Sequence, residues 1–310
     1  ADDAKVPGGG AADPPSGAAE GSSGRAGAGS AVVKFLAKLW ADRATELAEA
    51  ANRCAHGGSL RVPAAPLAAD HYLRKQQRSL GISEAEKVKI AVKSLGLDDL
   101  APFDPSKRVI EYVIAEEGKS ALVNMTLTQF ADTTASEAPA PGGGSISAYA
   151  GALGAALATM VANLSAHKRG WDERWEEFSV HAERGLALQN QLMALVDADT
   201  QAFDSIMAAY GMPKGTADQK AKRHQAIQDA TRNAIDIPMQ VAQVAHDGLD
   251  LATAMASDGN PNSVTDAGVG AMCLRTAVLG AVLNARINCG DLEDADYVAQ
   301  IQSRCAKLVE

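Results

Sequence analysis

The sequence predicts an all-α fold, an antiparallel helical bundle preceded by a small α/β remnant and a disordered N-terminus. Aromatic residues make up only 4% of the 310 residues, whereas apolar residues make up 46%. The core must therefore consist largely of Ala, Leu, Val and Ile, whose small side chains favour close packing of helix against helix. From Met125 onward, every long segment has helical periodicity and the breaks between segments are short. Such short connections are typical of antiparallel neighbours in a bundle.

The first 70 residues show little sign of a packed domain. Residues 1–30 are almost all Gly, Ala, Pro, Ser and charged residues, which cannot bury enough apolar surface to offset the entropy of ordering, so we expect disorder there. Residues 31–70 have an uncertain, partly helical structure. Apolar positions recur at helical spacing from Ala31 to Arg53, but the Pro/Gly-rich stretch that follows has no clear period.

Residues 71–120 are typical of the end of a larger α/β unit. Ser83 and Glu86 form a capping box at the start of a helix, and Gly96 stands where that helix should end. A turn with two prolines and a short alternating strand, Arg108 to Ala115, come next. One helix and one strand are too few for an independent domain.

The helical domain spans residues 125–310. Thr216 and Gln219 form a second capping box within it, and Pro238 lies inside a helical pattern, where it predicts a kink or a break. The predicted helices are Leu127–Thr133, Ser145–Ser165, Trp171–Tyr210, Thr216–Leu249, Ser263–Asn288 and Asp291 to the C-terminus.

Charge and composition exclude several classes of partner. A formal charge of −9 without a Lys/Arg-rich block argues against nucleic acid or an anionic membrane as the main partner. The Ala-rich stretch Ile146–Leu164 is long enough to span a bilayer, but Ala and Gly carry little transfer energy and polar residues interrupt it. The acidic N-terminus has no apolar signal-peptide core. The four cysteines show no CxxC spacing, so we predict no metal site and a cytoplasmic protein.

The segment PGGGS at residues 141–145 precedes the Ala-rich helix. Ser145 is a good N-cap, and the glycines before it expose consecutive backbone N–H groups at the positive end of the helix dipole. Such an arrangement binds carboxylate or phosphate. The alternative is a plain loop that lets two helices approach closely.

Two carboxyl groups, Asp197 and Asp199, lie in mid-helix in LVDADTQAF. Residues two apart point about 200° apart on a helix, so the two cannot share a face, and Asp199 shares its face with Leu195, Ala202 and Phe203. A carboxylate on an apolar face loses hydration, which raises its pKa and makes it a proton donor near neutral pH. The alternative is an acid paired with a neighbouring Arg or Lys.

Two further segments concentrate polar groups at helix ends. In SAHKRGW, the cations His167, Lys168 and Arg169 follow the helix that PGGGS begins, about 30 Å from its start, so the two can meet only across an oligomer interface or through an antiparallel neighbour. As a lone charge run they would form a solvated cap. In GNPNSVTDAGVGAM, residues 259–272, more polar groups crowd a helix start than capping requires.

In this order and spacing, the four segments resemble the formimidoyltetrahydrofolate cyclodeaminase family, the all-helical half of glutamate formimidoyltransferase-cyclodeaminase. The resemblance runs from about Met125 to the C-terminus and includes APGGGS, HKRGW, LVDADTQAF, MPKGT and NPNSVTDAGVGA. Residues 71–117 resemble the C-terminal end of the formimidoyltransferase half. Most of that half, including the part with its catalytic His, has no counterpart in residues 1–70, so we do not expect transferase activity from this chain.

The resemblance implies closure of 5-formimidoyltetrahydrofolate to 5,10-methenyltetrahydrofolate with loss of ammonia, a step of histidine degradation and one-carbon metabolism. Both reacting atoms belong to one molecule, so the enzyme needs mainly to hold a ring-closing conformer and to protonate the departing amine. No metal or redox cofactor is required beyond the folate substrate. Asp199 is the candidate proton donor, and Asp197 is its competitor.

The resemblance also implies which residues hold the folate. Helix N-terminal amides and basic side chains suit its glutamate carboxylates, and the Asn-rich segment suits the pterin. The implied substrate-binding residues are Gly142, Gly143, Gly144, Ser145, His167, Lys168, Arg169, Asn260, Asn262, Ser263 and Asp266.

Two other functions are compatible with the sequence. Similar helical proteins act as methenyltetrahydrofolate cyclohydrolases, with water in place of the leaving amine. A non-catalytic helical assembly subunit would also have Ala-rich helices. Whichever function applies, we expect a homodimer or a higher homo-oligomer, because a bundle faced with Ala and Gly presents flat surfaces that pack.

Overall fold

The computed structural model describes residues 64–94, 104 and 122–310. Eight α-helices fall within these ranges, and no strand does, which confirms the all-α prediction for them. The predicted disorder over residues 1–30, the helix over 31–53 and the strand over 108–115 lie outside the described residues. The helices are α1 Ala64–Lys75, α2 Glu84–Ser94, α3 Leu127–Thr134, α4 Gly143–Ala166, α5 Trp175–Tyr210, α6 Ala217–Asp258, α7 Val264–Asn288 and α8 Ala295–Val309.

Helices α4 to α7 form the bundle. Helix α4 packs on α5 and α7, and α6 packs against all three. The core side of α4 is made of small residues, among them Ala155, Ala158 and Ala162, which are fully buried. A Cβ atom on Gly154 would lie 2.6 Å from the carbonyl oxygen of Gly270. The backbones of α4 and α7 therefore touch, as the small-residue composition predicted.

Helix ends differ from the predicted ends in several places. Helix α6 begins with the predicted capping box of Thr216 and Gln219 but continues to Asp258 instead of ending at Leu249. The last helix begins at Ala295, with Asp294 as its N-cap, instead of at Asp291. A short 3₁₀ turn, Asp172–Arg174, replaces the predicted first turn of α5. Helix α4 starts at Gly143 with Gly142 as its N-cap, so the prediction of Ser145 as the N-cap is wrong.

Helix α6 passes through Pro238 without the break that was one of the two predicted outcomes. Proline has no N–H, so the carbonyl of Ala234, four residues earlier, loses its helical donor. The side-chain amide of Asn288 on α7 donates to that carbonyl at 2.7 Å. A neighbouring helix thus supplies the missing hydrogen bond, and the helix continues.

The segment between α1 and α2 docks on the outside of the bundle. The N–H of Leu80 donates to Ser179 Oγ at 2.9 Å, and the amide of Asn163 donates to the carbonyl of Gly81 at 2.8 Å. A Cβ atom on Gly81 would lie 2.3 Å from Ala182. Leu80 itself is buried, with 2% of its surface exposed. Residues ahead of the predicted helical domain therefore complete its surface.

Two stretches, Gly143–Ala166 and Pro261–Asp291, are long and apolar enough to cross a membrane by length and composition alone. Both belong to the bundle. Within it, 61% of the most apolar part of the first stretch and 39% of that of the second are buried. Core helices of bundles share these properties. The second stretch nevertheless carries more exposed apolar surface than a bundle core requires.

Candidate active site

A cavity of about 160 Å³ lies at the N-terminal end of α4, where that helix meets α5, α6 and α7. Its wall combines the backbone of three glycines, one carboxyl group, two side-chain amides and several apolar side chains. The described residues that line it are Pro139, Ala140, Gly142, Gly143, Gly144, Asp199, Thr200, Ala202, Phe203, Ile206, Ala234, Asn284 and Asn288.

Asp199 projects from the C-terminal half of α5 onto the first turn of α4. The hydroxyl of Ser145 donates to Asp199 Oδ2 at 2.8 Å. A Cβ atom on Gly144 would lie only 2.0 Å from Asp199 Oδ1, so the carboxyl group needs a glycine at that position. The backbone N–H of Ser145, in the helix start that the sequence predicted for an anionic ligand, therefore bonds to a carboxyl group of the chain itself. The first turn of a helix favours a negative charge from either source.

Burial raises the pKa of the Asp199 carboxyl above its ordinary value, and hydrogen bonds from the Ser145 hydroxyl and backbone N–H partly oppose that shift. The direction agrees with the prediction made from the apolar face of α5. A buried carboxyl group is more easily protonated because the low-dielectric surroundings penalise its charged form. Asp199 is thus suited to exchange a proton with a group in the cavity.

Asn284 and Asn288 line the same cavity and were missed by the sequence analysis. They are one turn apart near the C-terminal end of α7, and a Cβ atom on Gly143 would lie 3.2 Å from the Asn284 amide nitrogen. Thr200 also lines the cavity, and its hydroxyl is buried without a hydrogen-bond partner among the described residues. The available signal was the pair of amides four residues apart in a largely apolar helix.

Asp197, the competitor of Asp199, has a different partner. Its Oδ1 accepts a hydrogen bond from the backbone N–H of Leu122 at 3.0 Å. Leu122 is buried against the bundle, with 4% of its surface exposed. Asp197 therefore holds the chain that leads into α3, and it is absent from the described lining of the cavity.

The basic segment lies at the opposite end of α4. His167 is the C-cap residue of that helix, and its Nε2 accepts the backbone N–H of Ser79 at 3.1 Å. Burial lowers the pKa of His167, and the nearby charge of Arg78 lowers it further. Lys168 places its amino group 3.8 Å above the centre of the Trp171 ring. Arg169 is exposed.

The Asn-rich segment lies beside that same far end. The backbone N–H of Asn260 donates to Ser165 Oγ in the last turn of α4 at 2.8 Å. The Asn260 side chain accepts the N–H of Asn262, and Ser263 is buried at the start of α7. Asp266 follows in the first turn of α7. These contacts hold a helix start together.

Within one chain, the predicted site residues thus form two separate groups. Gly142, Gly143, Gly144, Ser145 and Asp199 stand at one end of α4, and the segments around His167 and Asn260 stand at the other. The 24 residues of α4 make it about 36 Å long. One small ligand cannot touch both groups of a single chain.

Comparison with known proteins gives a consistent result. The family model described as formiminotransferase-cyclodeaminase matches residues 126–307, and the model of the formiminotransferase domain matches residues 58–115. The second match agrees with the resemblance of residues 71–117 to the transferase half.

Proteins with two different names are similar to this chain in sequence, and one solved structure is similar to it in fold. Formimidoyltransferase-cyclodeaminase of Rattus norvegicus is 34% identical over 230 residues, which are 74% of this chain and 42% of that protein. The chain thus spans less than half the length of this relative. Methenyltetrahydrofolate cyclohydrolase of Methylorubrum extorquens is 37% identical over 177 residues, 57% of this chain and 85% of that protein. The crystal structure of formiminotetrahydrofolate cyclodeaminase from Thermotoga maritima superposes with a TM-score of 0.54 at 26% identity, covering 61% of this chain and 90% of that one.

Proposed function

Because the chain belongs to the formiminotransferase-cyclodeaminase family, we propose that it closes 5-formimidoyltetrahydrofolate to 5,10-methenyltetrahydrofolate with release of ammonia. The observation that carries the proposal is the position of Asp199. Its carboxyl group stands in a cavity, receives a hydrogen bond from Ser145 and has a pKa raised by burial. Those are the properties that this reaction asks of a proton-transfer group.

The reaction needs one proton to change place. Starting from the protonated amidine, N10 of the folate attacks the formimidoyl carbon and then loses its proton, while the former imino nitrogen, now NH2, gains a proton and leaves as ammonia, so that the positive charge stays on the methenyl product. No proton is gained or lost overall. A single carboxyl group with a pKa nearer to neutrality can accept the first proton and donate the second. Asp199 fills that role in our proposal, and Ser145 fixes the orientation of its carboxyl plane.

The proposal is tested by following methenyltetrahydrofolate absorbance and ammonia release with this chain. Asp199→Asn keeps the acceptor for Ser145 but removes the proton-transfer group, so kcat should fall about 100-fold or more while folate binding is largely preserved. Asp197→Asn tests the competitor. A larger loss of kcat in Asp197→Asn than in Asp199→Asn would transfer the role to Asp197.

A second candidate function is methenyltetrahydrofolate cyclohydrolase, favoured by the similarity to the Methylorubrum extorquens enzyme over 85% of that protein's length. The same proton-transfer group would serve water attack on the methenyl carbon. Consumption of methenyltetrahydrofolate without any formimidoyl compound, and without ammonia, would favour this reading. We propose no formimidoyltransferase activity for these 310 residues, since the match to that domain is confined to residues 58–115.

We also propose that the chain forms a homodimer or a higher oligomer through α4 and α7. Large apolar side chains are exposed along one face of each helix. They are Ile146, Leu153, Met160 and Leu164 on α4, and Val269, Met272, Leu283 and Ile287 on α7. Exposed apolar patches of this extent mark interaction surfaces. In an antiparallel pairing through α4, the Lys168 end of one copy lies beside the Gly142 end of the other, which unites the two groups of predicted site residues.

A further inference from the structure

Asn284 and Asn288 each have a fixed orientation in the cavity wall. The Asn288 amide nitrogen donates to the carbonyl of Ala234 at 2.7 Å, and the Asn284 amide nitrogen donates to the carbonyl of Gly280 at 2.8 Å. Only the nitrogen of an asparagine side chain can donate to a carbonyl, so these bonds decide which end of each amide is used by the protein. In the part of the chain that the structure describes, the two Oδ1 atoms remain as acceptors without a protein donor.

The partner of Asn288 exists because of Pro238. In an uninterrupted helix the carbonyl of Ala234 would accept the N–H of residue 238, and proline has none. The carbonyl is therefore open to a side chain from α7. A proline inside α6 and an asparagine on α7 together set the direction of one amide in the cavity.

The polar groups of the cavity favour a ligand that donates hydrogen bonds. Its described lining carries one acidic side chain, Asp199, and no Lys, Arg or His. A carboxylate or phosphate would face the two Asn oxygens and Asp199, which are all acceptors. In the first turn of α4, the hydroxyl and the backbone N–H of Ser145 already donate to Asp199. The cavity therefore suits a group rich in N–H, and a positive charge on that group adds to its attraction.

We propose that this cavity binds the planar amidine group of the substrate, with the Oδ1 atoms of Asn284 and Asn288 accepting its N–H groups beside Asp199. The inference rests on the proposed function, in which the amidine nitrogen becomes the ammonia that leaves. A volume of about 160 Å³ matches one that holds a benzene-sized molecule. It accommodates an amidine with part of its attached ring but not a whole folate. Asparagine acceptors next to the proton-transfer group keep the leaving nitrogen within its reach.

The test compares three small probes of similar size on the full chain. Formamidinium is an amidinium cation, formamide is neutral and formate is an anion, and all are used at constant ionic strength. Each is measured as an inhibitor of methenyltetrahydrofolate formation and, independently, by calorimetric binding. The variants are Asn284→Ala and Asn288→Ala, and the control is Asn233→Ala, which is exposed on α6. Asn284→Ala is the cleaner variant, since the Gly280 carbonyl retains its helical hydrogen bond.

We expect formamidinium to inhibit the wild type competitively and formate not to inhibit it. Loss of one hydrogen bond to a charged group should raise the formamidinium Ki and the substrate KM about tenfold in each Asn variant. The product methenyltetrahydrofolate has no amidine N–H group to donate, so its Kd in each Asn variant should stay within about threefold of the wild-type value. Asn233→Ala should match the wild type throughout.

Two results would overturn the inference. One is formate binding as tightly as formamidinium. The other is an equal loss of substrate and product affinity in Asn284→Ala, which would assign the asparagines to the pterin or to structure. If the wild type forms no methenyl compound, the proposed function fails. Calorimetric binding of formamidinium then tests the amidine site independently of activity. Formamidinium binding that Asn284→Ala abolishes still supports an amidine site, and its absence overturns it.

Discussion

The Asp199 carboxyl group is held between two opposing effects. Burial among Ala202 and neighbouring apolar groups favours its protonated form, whereas the hydrogen bonds from Ser145 favour the carboxylate. Because burial is the larger effect, the charged form costs the folded state free energy at neutral pH. This cost is tolerable when the charge state is needed for chemistry.

The stability of Asp199→Asn should depend on pH relative to the wild type. With a raised pKa in the folded state, Asp199 contributes stability below its unfolded pKa, and that contribution is lost as the pH rises through the folded pKa. The Asn variant has no such loss. We expect equal melting temperatures at a pH below the ordinary range of a carboxyl group and a higher melting temperature for the variant at pH 7.

Asp204→Asn supplies the control, because Asp204 is exposed on the same helix. Its melting temperature should follow that of the wild type at both pH values. A lower melting temperature of Asp199→Asn at pH 7 would mean that the hydrogen bonds from Ser145 outweigh burial.

Local periodicity was enough to predict the partial burial of Asp199 but not its surroundings. The apolar face of α5 is visible in LVDADTQAF, so the burial of Asp199 follows from the sequence. Its partner Ser145 is 54 residues away, and the same residue makes a plausible N-cap, so local reasoning assigned it to capping. Asn284 and Asn288 could not be predicted as cavity residues, because their neighbours come from α4 and α6 and depend on how these helices are packed.

At the scale of a helix, the start of α4 is shaped by what must fit against it. Gly144 leaves room for Asp199 and Gly143 for Asn284, whereas no atom lies within 4 Å of a Cβ atom on Gly142. Two of the three glycines are thus needed because a side chain of another helix packs directly against their backbone. In α6, the capping box at Thr216 was predictable from neighbouring residues, but the continuity through Pro238 was not, since it depends on Asn288 of α7.

Replacement of Gly144 by Ala should damage the site more than the fold. The added methyl group would lie 2.0 Å from Asp199 Oδ1 and must displace the carboxyl group. A displacement of about 1 Å at a reacting group can lower kcat about 100-fold. Steady-state kinetics and circular dichroism of the variant measure the two effects.

Gly268→Ala is the matched control for that substitution. Gly268 lies inside α7, and no atom lies within 4 Å of its Cβ position. Alanine is favoured over glycine in a helix by about 1 kcal/mol, so the melting temperature should rise while kcat is unchanged. Wild-type kcat in Gly144→Ala would show that Asp199 does not need its observed position.

At the scale of the whole molecule, one side of the bundle is unusually apolar. Met272 and Ile287 on α7 are 69% and 75% exposed, and Leu153 on α4 is 45% exposed. This pattern was predictable only in part. The Ala- and Gly-rich composition predicted packable surfaces, but which helix faces remain uncovered depends on the packing of all four helices.

A charge placed on that face should reduce self-association. We expect Met272→Lys combined with Leu153→Lys to lower the mass measured by sedimentation velocity from that of an oligomer to that of one chain. Val180→Lys serves as the control, because Val180 is 61% exposed on α5, outside the α4 and α7 faces. An unchanged mass in the double variant would place the interface elsewhere.

The docking of residues 79–81 affects where the two domains can be separated. This segment falls within the part that matches the formiminotransferase domain, yet it donates to Ser179, accepts from Asn163 and presses its glycine against Ala182. The boundary between the two family domains in the sequence therefore does not coincide with a boundary in the folded structure. A bundle that began at residue 122 would lack residues 79–81, and its surface around Ala182 would be exposed. A protein that has the bundle alone needs other residues there, either to cover the patch or to make it polar.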